Sequence, residues 1–234
     1  MFERYVRFAP PEALALLFAT VNAVPAAAPS WNIAPGRSAL VVRRDPASGE
    51  RHLVSLRFGI DAPGWMKQPP PQPLFEARAE NVATSALFRA GFAVRRCLVP
   101  ADAFYLWTKA SPGPACEAAV ARRNGQPMAF AGLWEMPRQR DGTLHFSFAI
   151  ITTSANAPLR RFGNRMPAIL EQADWAVWLD EAPGDIMALL SPAAPARLCF
   201  WSVGSEVRDR RADGPRLLAP CAQRTALSGE SAKR

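Results

Sequence analysis

Between residues 93 and 153 the chain reads Ala93-Val-Arg-Arg-Cys-Leu-Val99, Ala103-Phe-Tyr-Leu-Trp-Thr108, Glu117-Ala-Ala-Val-Ala-Arg122, Met128-Ala-Phe-Ala-Gly-Leu-Trp-Glu135 and Leu144-His-Phe-Ser-Phe-Ala-Ile-Ile-Thr-Thr153. These runs are short and rich in β-branched or aromatic residues, the side chains that fit a pleated, half-buried surface. Turn formers separate them, notably Ser111-Pro-Gly-Pro114, Asn124-Gly125 and Asp141-Gly142. Upstream, Ser38 to Arg44 and His52 to Phe58 flank Asp45-Pro-Ala-Ser-Gly49 and read as a hairpin. Helical patterning is brief. It covers Pro11 to Thr20, with Leu14, Leu17 and Phe18 as an apolar stripe, and Asn81 to Ala90, with Val82, Leu87 and Phe88 facing the core. Gln172 to Leu179 and Pro183 to Leu190 precede a last strand at Arg197 to Val203. Helices and strands do not alternate regularly, so the expected class is α+β, with one continuous, mixed, barrel-like sheet flanked by helices. Residues 1–219 are read as one domain and residues 220–234 as a polar tail, with a proline and alanine linker at Val24 to Pro29 and an extended loop at Pro69 to Pro73.

The 234 residues are 49% hydrophobic and 21% charged, which excludes wholesale disorder and leaves room for a substantial core. Twenty-eight basic against 20 acidic residues give a net charge of +8. That balance favours a polyanionic partner, nucleic acid first and an anionic membrane surface second, unless it is a compositional habit of an arginine-rich source. No apolar run reaches the roughly 20 residues of a membrane-spanning helix, and Met1 to Pro10 lacks the pattern of a signal peptide. Cys97, Cys116, Cys199 and Cys221 are widely spaced, and the only histidines are His52 and His145. No metal or cofactor is expected, the cysteines read as free thiols of a reducing cytoplasm, and Cys97 reads as a core thiol. There is no phosphate-binding glycine loop and no Gly-x-Ser-x-Gly elbow.

Eight segments in order say more: Trp31-Asn-Ile-Ala-Pro-Gly36, Glu76-Ala-Arg-Ala-Glu80, Arg95-Arg-Cys-Leu-Val-Pro-Ala-Asp102, Phe104-Tyr-Leu-Trp107, Phe130-Ala-Gly-Leu-Trp-Glu135, Ile150-Ile-Thr-Thr-Ser-Ala-Asn156, Asn164-Arg-Met-Pro167 and Trp201-Ser-Val203. Together they closely resemble the SOS-response-associated peptidase (SRAP) family of abasic-site-processing proteins, from about Met1 to about Pro215. The resemblance implies binding of single-stranded DNA at an abasic site. It also implies a cysteine at position 2, exposed by removal of the initiator methionine, whose α-amine and thiol close a thiazolidine ring on the sugar aldehyde. An asparagine, a glutamate and a histidine assist, and the same cysteine is credited with leader removal in some members.

Each reactive position departs from that pattern. The nucleophile is replaced by Phe2, the asparagine by Glu76, the acid/base glutamate by Leu106 and the histidine by Gly163. A residue as large as Phe2 also leads one to expect that Met1 stays attached. The positions that resemble DNA contacts are better kept: Arg4, Arg78 and Arg165 against the backbone, Asn32 and Pro35 beside the lesion, Trp65 across the groove. The expectation is a monomeric, catalytically inactive SRAP homologue of the cytoplasm that binds single-stranded or damaged DNA non-covalently and sits with the nucleoid when bound. The alternatives are an active crosslinker or peptidase using a substitute nucleophile, with Lys67 or Lys109 as a Schiff-base candidate, or an interaction scaffold without DNA.

Overall fold

The computed structural model describes residues 2–61, 73–108, 117–136 and 145–221. In chain order it contains β1 (Phe2–Arg7), α1 (Pro11–Phe18), β2 (Ser30–Ile33), β3 (Ser38–Arg44), β4 (Arg51–Phe58), β5 (Glu76–Arg78), α2 (Arg89–Val94) and β6 (Arg96–Ala101). There follow β7 (Ala103–Trp107), β8 (Glu117–Arg122), β9 (Met128–Glu135), β10 (Ser147–Ser154), β11 (Arg165–Pro167), β12 (Ile169–Leu170), α3 (Trp175–Trp178) and β13 (Leu198–Val203), with 3-10 turns between them.

The α+β class holds, but the strands form two sheets rather than one. A five-stranded sheet runs β13-β8-β7-β1-β2 and is antiparallel throughout. In the larger sheet β10 pairs with β4 and also with β9, so β10, β4, β3, β6 and β9 close a ring of pairings that is not a barrel. The split is made at a corner between β6 and β7, where a single residue, Asp102, separates the two strands. Its carboxylate accepts the backbone N–H groups of Phe8 and Ala9 at 2.6 and 2.8 Å, which fastens the end of β1 to the corner. Burial raises the Asp102 pKa, opposed by those two hydrogen bonds and by Arg7.

Side-chain alternation assigns each strand face to a layer. Cys97, Val99, Phe130, Phe148 and Ile150 point from the ring towards Phe2, Tyr5, Phe104 and Leu106 of the five-stranded sheet, forming the inner core. Their neighbours Leu98, Ala129, Ala131, Ala149 and Ile151 point the other way, against Phe18 of α1, Phe92 of α2 and Trp178 of α3. The outer face of the five-stranded sheet is covered by Val207 and Leu217 from the C-terminal segment. Cys97 is fully buried, and desolvation pushes its thiol far above the usual range, as a core residue requires.

The hairpin, the strands at Glu117–Arg122 and Met128–Glu135 and the strand ending at Val203 stand as expected. Two helices differ. Residues 79–88 are turns, and the α2 helix begins only at Arg89 and displaces the expected strand start from Ala93 to Arg96. Ser85 and Thr84 bond locally, to the N–H of Leu87 and the carbonyl of Asn81, which competes with helix there. The apolar reading of that segment survives, since Val82 and Phe88 are buried. Pro183 to Leu190 shortens to a 3-10 turn at Ala188–Leu190, because Asp185 holds the N–H groups of Met187 and Ala188 in a local turn. The proline loop apart from Pro73, and all but the first two residues of the expected tail, lie outside the described residues.

Candidate functional site

Strand β10 is the spine of the site. Along one edge it pairs in parallel with β5, Ile150 opposite Glu76 and Thr152 opposite Arg78. Along the other it pairs antiparallel with β11, Ser154 opposite Arg165. The end of β7 and the 3-10 turn Ala157–Phe162 complete a cleft of about 430 Å³, lined by Glu76, Arg78, Trp107, Arg160, Arg161, Gly163, Asn164 and Arg165 among others. Phe2 and Leu106 face each other across β1 and β7 and are fully buried beside Trp107. Of the four positions where the pattern departs, Glu76 and Gly163 line this cleft, while Phe2 and Leu106 lie in the inner core.

Thr152 organises the wall. Its hydroxyl donates to Glu76 Oε1 at 2.7 Å and accepts from Arg165 Nε and Nη2 at 3.2 and 2.9 Å, using its full bonding capacity. Arg165 also donates to the Thr152 carbonyl and to Glu80, and its Nε lies 3.8 Å from Glu76 Oε1. The hydrogen bond from Arg165 holds the Glu80 carboxyl below the usual carboxylate range. The two nearby carboxylates thus attach to Arg165, while Arg78 is exposed, makes no ion pair among the described residues and acts on Glu80 only at longer range. Arg160 and Arg161, also exposed, anchor their Nε atoms on the carbonyls of Ala155 and Pro158, which orients them without neutralising their charge.

Two expected DNA contacts face inward instead. Arg4 is 3% exposed and donates to Asn32 Oδ1 at 3.2 Å, the Val207 carbonyl at 3.0 Å and the Arg208 carbonyl at 2.9 Å. Asn32 is 4% exposed and gives its amide protons to the carbonyls of Asp209 and Ala212. The physical reason is the C-terminal segment, whose carbonyls at 207–212 need donors once it covers the five-stranded sheet. Pro35 is buried in the loop after β2. Trp65, Lys67 and Lys109 lie outside the described residues.

Sequence reasoning passed over Thr152, Arg160 and Arg161. The adjacent arginines stand just before the Asn164-Arg-Met-Pro167 motif, a visible signal. Thr152 lies inside the Ile150–Asn156 segment, but its role comes from strands that meet only in space and so was not visible there. Gly163 carries a further signal in its backbone, with φ 154° and ψ 171°, a region populated almost only by glycine. Gly163→His is therefore expected to destabilise the protein by on the order of 1–3 kcal/mol, read from urea unfolding midpoints. An unchanged midpoint would show that the turn relaxes to accept a side chain.

The profile of one family, SOS response associated peptidase (SRAP), matches residues 1–210. The chain belongs to the SRAP family. Among its SRAP relatives is the abasic site processing protein YobE of Bacillus subtilis, 30% identical over 167 residues, 70% of this chain and 75% of that one. The abasic site processing protein YoqW of the same organism is 28% identical over 193 residues, 81% and 85% of the two chains. A crystal structure of a Bordetella bronchiseptica protein superposes with a TM-score of 0.72 at 27% identity, covering 86% of this chain and 99% of that one. A Bacteroides thetaiotaomicron structure gives 0.77 at 17% identity, covering 93% and 99%, which supports the SRAP fold alone. No helix among the described residues is long and apolar enough to cross a membrane.

Proposed function

We propose that this SRAP protein binds single-stranded DNA, including strands with abasic sites, non-covalently and without the covalent chemistry associated with the family's cysteine. The observation that carries this reading is the pairing of Phe2 with Leu106: two of the four positions where the resemblance requires reactive groups hold apolar side chains with no exposure. A phenyl ring has neither a nucleophilic atom nor a transferable proton, and leucine cannot act as general acid or base. Binding needs less, namely cations that remain unneutralised and a ring against which a base can rest. Arg78, Arg160 and Arg161 supply the first, and Trp107, partly exposed in the same cleft, supplies the second.

The test is a short labelled strand, intact or abasic, titrated by fluorescence anisotropy and then run on a denaturing gel. The expected result is a salt-sensitive complex with both strands and no heat-stable adduct. Arg78→Gln is expected to lower the log–log salt slope by roughly 0.7, the share of one phosphate contact on a single strand. Removing the charge that opposes it, Glu76→Asn, is expected to tighten binding by something on the order of 1 kcal/mol. An adduct that survives heating refutes the non-covalent reading. Failure of both wild type and Glu76→Asn to bind at low salt favours an interaction scaffold.

A further inference from the structure

We propose that a single strand held in the cleft continues onto a second basic surface along β13, reached through Arg161 and Phe200 and ending at Arg123. This inference rests on the DNA-binding reading above and extends the site rather than restating it. Arg161 stands at the junction. Its guanidinium lies over the ring of Phe162 at 5.4 Å and over that of Phe200 at 4.6 Å. Phe200 is half-buried on β13, the edge strand of the five-stranded sheet, and lines an adjoining cleft of about 450 Å³ together with Arg123. Both clefts flank the same 3-10 turn, Pro158 and Leu159 on one side and Arg160 and Arg161 on the other.

The charges along this path are held by neutral partners. Beyond Arg123, Arg122 and Arg197 share one carboxylate, Glu171, at 3.0 and 2.5 Å, so two cations meet one anion. Arg123 instead donates to the carbonyls of Ala196 and Leu198 at 3.1 and 3.0 Å. Neutral carbonyls fix a guanidinium's direction and leave its charge intact. Arg160 and Arg161 share this state, exposed with Nε on a carbonyl and no ion pair among the described residues, and Arg78 is exposed and meets Glu80 only at longer range. Arg51, Arg57 and Arg95 elsewhere are each held by a carboxylate at 2.6 or 2.7 Å, whereas Arg44 also rests on a carbonyl, that of Gly49, so it is the continuity through Arg161 and Phe200 that singles out this path. Cations without ion pairs, with an arginine-backed aromatic ring between them, suit a repeating anion that carries flat, stackable groups. That chemistry is a phosphodiester strand with its bases.

The experiment compares thymidine oligomers of about 5 and about 15 nucleotides, within the range of single-strand site sizes. Arg123→Gln is expected to weaken the long strand roughly fivefold at 0.1 M salt, which is what a loss of 0.7 in log–log slope amounts to, and to leave the short strand unchanged. Phe200→Ala is expected to weaken the long oligomer but not inorganic polyphosphate, which offers no base to stack. Arg78→Gln weakens both lengths. Because Arg123 also fastens β13, Arg123→Lys is the control: it keeps the charge and is expected to recover most of the affinity. Equal effects on short and long strands, no effect on the long one, or an Arg123→Lys loss as large as that of Arg123→Gln overturns the extended path while leaving the cleft reading intact. A Phe200→Ala variant that weakens polyphosphate as much as the oligomer reduces the surface to a plain electrostatic patch and also overturns it. No binding by wild type at either length overturns both readings.

Discussion

Phe2→Ala is expected to lower the unfolding free energy by about 3–5 kcal/mol, the range for removing a fully buried aromatic ring from a packed core. Phe2 sits between the two sheets, edge-on to Phe104 at 6.0 Å and to Phe130 at 6.1 Å, and those two rings meet each other edge-on at 5.7 Å. Removing one ring of a three-ring cluster exposes two faces that neither sheet can move to cover, since each is fixed by its own backbone ladder. A urea midpoint that falls with an unchanged slope is the expected reading. A loss below about 1 kcal/mol would mean that β1 collapses into the space. Phe2→Cys probes the chemistry at the same position. It restores a thiol but leaves Leu106 opposite and Glu76 bonded to Thr152, so no heat-stable adduct with abasic DNA is expected.

Arg4→Met should cost about 2–4 kcal/mol, because it strands two buried acceptors and one part-buried one that the guanidinium serves among the described residues. Those acceptors are Asn32 Oδ1 and the carbonyls of Val207 and Arg208. Burial, and then the nearby charge of Arg210, lower the Arg4 pKa, yet an arginine starts so far above neutrality that it stays ionised. The loss is local in origin, so limited proteolysis should cut first in the segment around residues 205–212, before the sheets open. This outcome separates two roles for Arg4. A phosphate contact would lower DNA affinity and leave the unfolding midpoint unchanged; a clamp lowers the midpoint first.

The strands with long apolar or β-branched runs were legible because their pattern is local. The β3–β4 hairpin announces itself through Asp45 and Gly49, whose turn chemistry needs no distant partner: Asp45 accepts from the N–H groups of Ala47 and Ser48, and Gly49 takes φ 75°. By contrast β5, β11 and β12 are two or three residues long and exist only because β9 and β10 offer them an edge. No window of residues 76–78 or 165–167 encodes a strand. The same division governs the cleft. Motif order was enough to bring Glu76, Arg78, Gly163 and Arg165 together, since shared ancestry preserves position. It did not reveal orientation: Arg4 and Arg165 carry the same charge, yet one is spent on carbonyls of the C-terminal segment and the other on Thr152 and Glu80. Which acceptors lie nearby is a property of packing, and packing is decided by chain segments far away in sequence.

The central position of β10 also has a consequence for the order in which the molecule is made. On the ribosome β3, β4 and β6 emerge early and can zip together, and Val21 and Asn22 bond Arg51 and Leu53 on the outer edge of β4. Its far end at Arg57 and Phe58, however, stays unpaired until Ser147–Ser154 has been translated. Glu76 and Arg78 wait for the same stretch, because β5 has no other partner, and Arg165 follows only a dozen residues later. Ring closure and cleft assembly are thus one late event on the nascent chain. A ribosome stalled before residue 147 holds a sticky, half-built sheet, and a translation product ending there is the form on which a chaperone would be most needed.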